Sequence, residues 1–407
     1  MTRTSFTARI LVITCVAHTI THLVMLVFAP IKDPMALEFG IDVKKIAFYF
    51  AIANVFFGLG AVPAGWLSDR FGEKWLLLAF FLLCAAGTGI IGLAKSTLVL
   101  ATGTVVMGIA TSIYHPVANA LIAKGIEKRG VAMGINGVAG SIGTALGPLY
   151  GGVVASYFSW RESFLTISIP CILFGIALLF VDLGPASKPV PKKSATESQL
   201  EKIEPGPRGL FVVLFVFLIS AMTLGGLFYY MFTTILPEYL LERGAIDNAG
   251  ETLSLNEQSR IGGWGAFVAL MFGVVGQMAG GILSDRVNTR KLYVAIYVLI
   301  TPLVFALAFL DGFAALAGAS IASVIYFAVQ PIENNIIAQF TPARWKGTVY
   351  GLKFIVLFSI SGGLGTWGVK VLEQDVGLKA VFLICGAAVT AALICATVAM
   401  RINVKEP

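Results

Sequence analysis

The order Gly65-Trp66-Leu67-Ser68-Asp69-Arg70 returns as Gly281-Ile282-Leu283-Ser284-Asp285-Arg286, 216 residues later. Pro116, Asn119 and Arg129 return as Pro331, Asn334 and Arg344, each 215 residues on. Two echoes at one offset, about half the chain, indicate a duplicated half-molecule. Each charged hexamer sits between two long apolar runs, so each is expected to be a short polar loop joining two membrane helices. Parallel halves of this kind are a standard construction of secondary transporters.

Composition agrees with a membrane protein. Of 407 residues, 57% are hydrophobic and only 13% charged, against about 25% charged in soluble domains. A span needs roughly 20 apolar residues, and about twelve runs qualify. The first six cover residues 10–29, 46–67, 75–94, 98–122, 131–157 and 164–181; the second six cover 210–236, 261–283, 292–310, 313–338, 348–372 and 380–400. The expected fold is an all-α membrane protein with about twelve transmembrane helices in two pseudo-symmetric six-helix bundles, residues 1–182 and 209–407. Residues 183–208 are rich in Pro, Lys, Ser and Glu without an apolar face, which reads as a flexible cytoplasmic linker. Arg3 and Arg9 precede the first run as in a signal peptide, but no small-residue cleavage site follows, so an uncleaved first span is expected.

Lysine and arginine counts set the orientation. With the N-terminus inside, inner segments hold 19 basic residues and outer segments nine. Both termini are therefore expected in the cytoplasm, with the chain in the inner membrane. The same asymmetry explains the net charge of +7 without nucleic acid as a partner. Cys15, Cys84, Cys171, Cys385 and Cys395 all fall in apolar runs, which fits neither a disulfide framework nor a metal motif.

The two charged hexamers, after the second and eighth spans, resemble the signature loop of the major facilitator superfamily. The resemblance covers nearly the whole chain and implies two six-helix halves around a central cavity. It also implies that Gly65, Asp69, Arg70, Gly281, Asp285 and Arg286 form gating loops on the cytoplasmic side. Gly65 and Gly281 would let helices approach closely. Asp69 and Asp285 would face the positive end of a neighbouring helix, and Arg70 and Arg286 would pair with carboxylates or lipid phosphates. The fifth span carries Gly143, Gly147, Pro148, Gly151 and Gly152, similar to the glycine-proline motif of the superfamily's antiporter branch. One departure is plain: the buried arginine found four residues before a glycine in many proton-coupled members is Thr104 here, before Gly108. Coupling to protons would run through other groups.

Those groups are few. His18, His22 and His115 all fall in spans, where ionisable side chains are expensive unless they work. His18 and His22 share one face of the first helix near mid-membrane, and His115 is expected nearer the cytoplasmic side. Imidazoles in such surroundings can titrate near neutral pH. Paired imidazoles could bind a transition metal, but no Asp or Glu nearby in sequence completes a site, so no metal is expected. Ile113-Tyr114-His115-Pro116 with the downstream glycines resembles the fosmidomycin-resistance type of exporter and related drug-efflux permeases. Glu333 and Lys353 break the apolar pattern of spans ten and eleven. Each lies ten residues from Ala343 in the intervening turn, so they should sit at one depth and pair. Asn119, Asn136 and Asn334 complete the candidate set for substrate or proton handling.

The intramembrane ionisable groups are mostly potential cations, which favours a small anionic or amphipathic organic solute. The expected function is secondary transport by alternating access, favoured as proton-driven efflux with no cofactor, by a chain that works as a monomer in a lipid bilayer. Uptake by symport or facilitated diffusion is the alternative, and a non-transporting sensor or scaffold is a distant one. No nucleophile–base constellation or phosphate-cradling loop suggests an enzyme.

Overall fold

The computed structural model describes residues 3–188, 208–245, 253–341 and 346–402. Among them all regular structure is helical. The first half holds α1 (Arg3–Leu26), α2 (Lys32–Phe39), α3 (Val43–Leu59), α4 (Ala61–Phe71), α5 (Glu73–Gly92), α6 (Thr97–Gly125), α7 (Arg129–Tyr157) and α8 (Trp160–Phe180). The second holds α9 (Arg208–Glu242), α10 (Leu255–Arg286), α11 (Thr289–Leu307), α12 (Gly312–Phe327), α13 (Val329–Phe340), α14 (Lys346–Phe354), a π-helical segment (Ile355–Gly362) and α15 (Gly363–Arg401). Most of the sequence expected as the linker, and the turn at Pro342–Arg344, lie outside the described residues.

Ten helical stretches are long and apolar enough to cross a membrane, and α3 with α4 forms an eleventh, bent by 46°. The last stretch, Gly351–Arg401, has 51 residues. At about 1.5 Å per residue it would be more than twice as long as the roughly 30 Å hydrocarbon core. It breaks at Gly377, whose φ of 79° and ψ of 164° are not helical, so it crosses twice. The described residues thus make twelve crossings.

Local chemistry explains where several spans begin. Side chains of Ser96, Ser159 and Asn288 accept from backbone N–H groups in the first turns of α6, α8 and α11, and Ser254 with Glu257 forms a capping box on α10. These satisfy donors that a helix start otherwise leaves bare. At the bend, Gly60 allows a close approach to α6. A Cβ there would lie 2.3 Å from Ser112 Oγ, so only glycine lets the helix meet α6 at that point.

The charged hexamers are not loops. Gly65, Asp69 and Arg70 lie on α4, which ends at Phe71, and the turn is made by Gly72 with φ 90°. Gly281, Asp285 and Arg286 likewise lie on the last turns of α10. The helix simply continues past the apolar limit, because Asp, Arg and Lys are tolerated in helices and nothing before Gly72 stops it.

Buried apolar residues form two clusters. One centres on Phe28, Phe50, Phe80, Phe81 and Tyr114, the other on Phe228, Tyr239, Tyr293, Tyr297 and Phe382. They interlock: Tyr230 and Phe358 join the first cluster, and Ala145 joins the second. Outward faces are also apolar, as Leu173 and Phe180 on α8 illustrate at 60% and 84% exposure. An apolar exterior of this kind suits lipid and would be a liability in water.

Candidate functional site

The α1–α7 seam is where the glycines work. A Cβ on Gly143, Gly147 or Gly151 would come within 2.3, 2.9 and 2.2 Å of Thr19, Leu26 and Val27 on or just beyond α1. Gly152 faces the other way, against the Ser259 carbonyl of α10, while Gly263 of α10 packs on the Pro148 carbonyl. The motif therefore draws α1 and the second half onto α7 at once. Gly281 does not act as expected: a Cβ there would meet nothing within 4 Å. The close approaches of α10 to α12 and its C-cap are made by Gly276 and Gly280 instead, at 2.0 Å from Val324 O and 2.5 Å from Ala328 O. Those two glycines face the neighbouring helix, whereas Gly281 is rotated off that seam.

Between the halves lies a cavity lined by residues of both. His18 and His22 of α1 form one wall, and Glu333 of α13, Tyr229 and Tyr230 of α9, and Phe358 of the π-helical segment form the other. Uncharged polar groups come from Gln277 and Gln330. The tyrosines and glutamines carry no sequence signal that separates them from other residues in apolar runs.

On the first wall, His115 is not displaced toward one membrane face as expected. Its ring centroid lies 5.2 Å from that of His18 and 5.8 Å from that of His22. His18 Nδ1 lies 2.6 Å from the Asn136 carbonyl, and the Asn136 side-chain oxygen accepts from Tyr114 Oη at 2.9 Å. Buried Asn136 is thus a scaffold for His18. His115 packs against two mutually stacked rings, Phe57 at 5.7 Å and Phe358 at 5.1 Å. Asn119, one turn further along α6, is half-buried and stands outside the cavity lining.

On the second wall the anticipated ion pair is present. Lys353 Nζ lies 3.3 Å from Glu333 Oε2. Tyr293 Oη donates to Glu333 Oε1 at 3.0 Å, and Lys353 donates to Asn334 Oδ1 at 2.8 Å. Both charges therefore have further hydrogen bonds, which a buried pair needs to be tolerable.

Two charge clusters were not anticipated. Glu73, fully buried at the α4–α5 turn, accepts from Lys124 at 2.5 Å, with Asp69 3.7 Å from the same ammonium. Asp69 is thus the outer member of a cluster around Lys124, and Arg70 lies over the rings of Trp66 and Phe71. At the opposite face, Glu238 of α9 lies 3.0 Å from Lys32 of α2 and 2.9 Å from Lys370 of α15. Lys44 meets Asp375 nearby at 2.6 Å. Sequence reasoning counted these lysines only as topology signals; the partners of Lys32 and Lys44 lie in the other half of the chain.

Comparison with known proteins agrees with this architecture. The family described as Major Facilitator Superfamily matches residues 14–366. The chain is 26% identical over 272 residues to the probable sulfoacetate transporter SauU of Cupriavidus necator, covering 62% of this chain and 59% of that protein. It is 26% identical over 279 residues to the nitrite extrusion protein of Bacillus subtilis, covering 68% and 65%. A shorter match to the multidrug resistance protein MdtG of Proteus mirabilis is 34% identical over 153 residues, 37% of each chain. The alignments thus span less than two thirds of these relatives' lengths. Among solved structures, a bacterial homolog of the human lysosomal transporter Spinster, in an inward-facing and unoccupied conformation, superposes with a TM-score of 0.74 at 16% identity, covering 98% of this chain and 97% of that one. With twelve crossings, a paired hexamer on α4 and α10 and a family match over most of its length, this chain belongs to the Major Facilitator Superfamily.

Proposed function

We propose that the protein is a secondary transporter that exports a small organic anion across the inner membrane, exchanging it for protons by alternating access between its two halves, residues 1–182 and 209–407. The observation that carries this reading is the cavity itself, which has imidazoles on one wall and Glu333, ion-paired to Lys353, on the other. An incoming carboxylate or sulfonate can compete with Glu333 for Lys353, leaving Glu333 to take a proton. Binding and protonation are then linked at one pair without the arginine that Thr104 replaces. Aromatic walls from Tyr229, Tyr230 and Phe358 suit an apolar portion of the solute. The named activities of relatives, sulfoacetate transport and nitrite extrusion, involve small anions and support this class. The basic bias of the inner segments supports cytoplasmic termini. The chain is proposed to act as a monomer, with the proton gradient in place of any cofactor.

The test is reconstitution in liposomes with an imposed proton gradient and a panel of radiolabelled sulfonates, carboxylates and nitrite. Uphill movement of at least one anion, opposite to the proton flux and abolished by a protonophore, is expected. Anion movement in the same direction as protons would replace export by symport. Failure of every solute to move would remove the transport reading.

A further inference from the structure

The chain has three histidines in all, and the fold gathers every one of them from two helices into a single cluster. One ring nitrogen from each of His18, His22 and His115 lies within 4.8 Å of the other two. We propose that these three imidazoles form a binding site for a divalent first-row transition-metal ion of the zinc class, with its open position toward the cavity.

Four observations support the assignment. First, His18 Nε2 and His22 Nε2 are 3.2 Å apart. Two nitrogens each about 2.0–2.1 Å from a tetrahedral ion must be separated by roughly 3.3 Å, so the pair is already at ligand spacing. Second, His18 is oriented as a ligand: its Nδ1 donates to the Asn136 carbonyl at 2.6 Å, which leaves the Nε2 lone pair free. A carbonyl behind a metal-binding imidazole fixes tautomer and ring direction in this way. Third, His115 Nε2 is buried without a hydrogen-bond partner. A hydrogen bond between His18 and His22 would satisfy those two rings but leave that atom bare, at a desolvation cost of about 1–3 kcal/mol. A third metal bond offers that ring a partner. Fourth, His18 and His22 line the cavity while His115 is held behind them by Phe57 and Phe358. The cavity side can admit the ion and a fourth ligand, either water or an anion.

The donor set narrows the ion. Three imidazoles with no carboxylate suit zinc, cobalt, nickel or copper and disfavour magnesium and calcium. The sequence concealed the site because the third ligand is supplied by α6, far along the chain from the pair on α1. Two imidazoles four residues apart have the spacing of a helical metal pair, and only the fold adds the third. The assignment rests on this geometry and is independent of solute and direction of transport.

The test uses the full chain in detergent, purified without a histidine tag so that every imidazole signal reports on these residues. After chelator treatment, titration with Co²⁺ should give one ion per chain with visible bands of a four-coordinate nitrogen site. X-ray absorption of the Zn²⁺-loaded wild-type protein should show nitrogen or oxygen neighbours at about 2.0–2.1 Å with imidazole outer-shell scattering. This second measurement needs no variant to fold. His22→Gln and His115→Gln, checked for a native elution profile, should each weaken Co²⁺ binding more than the roughly 10–100-fold that loss of an outer-shell group costs. Zinc without imidazole scattering, or cobalt affinity unchanged in both variants, would overturn the proposal.

Discussion

The Lys353 ammonium lies 3.3 Å from the Glu333 carboxylate, with side-chain exposures of 2% and 6%. Removing one partner of such a pair leaves the other charge stranded, at a typical loss of about 3–5 kcal/mol. Glu333→Gln and Lys353→Met should therefore each lower thermal stability and impair transport. The double substitution removes both charges, so stability should return to near the parent value. If the pair links solute to proton, gradient-driven transport should stay absent in the double variant. Thermal unfolding in detergent and uphill flux in liposomes separate the outcomes; restored uphill flux would make the pair purely structural.

At the α4–α5 turn, Asp69 and Glu73 share Lys124 but differ in burial. Asp69 is 68% exposed and 3.7 Å away, whereas Glu73 is fully buried and 2.5 Å away. An exposed pair contributes at most about 1 kcal/mol, and a charged hydrogen bond in the interior about 1.5–3 kcal/mol. Asp69→Asn should hardly change the unfolding temperature yet strongly slow transport if this helix end is a latch. Glu73→Gln should lower the unfolding temperature. Wild-type flux in Asp69→Asn would reduce the hexamer to a topology signal.

Much of this was legible in the sequence, and what was not has a common cause. Apolar run length fixed the crossings because lipid leaves backbone groups no partner outside a helix. The duplicated hexamer located α4 and α10, though helix continuation to Phe71 and Arg286 hid the fact that it is not a loop. The Glu333–Lys353 pair was accessible because both residues lie on helices separated by only five residues in sequence, so that residue counting measures depth. His115 beside His18 was not accessible, since no turn connects α1 to α6 and their relative depth depends on tilt. Glu238 between Lys32 and Lys370 was hidden for the same reason, as was the Asn136 carbonyl behind His18. Pairing across the bundle is set by tertiary packing, and a linear pattern carries no register for it.

The glycine row on α7 gives a control within one helix. A Cβ at Gly151 would stand 2.2 Å from the Val27 carbonyl, whereas one at Gly134 would meet nothing within 4 Å. Gly151→Ala must push α1 away from α7, and overpacking of this kind typically costs about 1–3 kcal/mol. Gly134→Ala should be neutral or slightly stabilising, since alanine is the better helix former. Unfolding temperatures of the two variants in the same detergent provide the check. Equal values would mean that α1 and α7 are not in contact along this row.

The final prediction concerns the face opposite the hexamers. Lys32 belongs to the first half, and Glu238 and Lys370 to the second; Lys32 is fully buried and Lys370 is 4% exposed. A single carboxylate therefore holds two buried ammonium groups together across the boundary between halves. Glu238→Gln removes that charge and sets Lys32 against Lys370, although Glu373, 2.8 Å from Lys370, and the neighbouring Asp33 partly compensate. Repulsion acts between the halves, so the expected response is opening of this face rather than global unfolding. Ser259 reports on that opening, because it is 4% exposed and its carbonyl packs against Gly152 across the same boundary. In a cysteine-free background, the thiol of Ser259→Cys should react slowly with an impermeant maleimide. Adding Glu238→Gln should speed labelling at least about tenfold, equivalent to a shift of roughly 1.4 kcal/mol in the opening equilibrium. Lys370→Met should have a smaller effect, since it leaves the Lys32–Glu238 contact across the halves in place. Labelling unchanged by Glu238→Gln, in a protein that still elutes as folded, would mean that helix packing at Gly152 and Gly263 keeps this face closed without the charges.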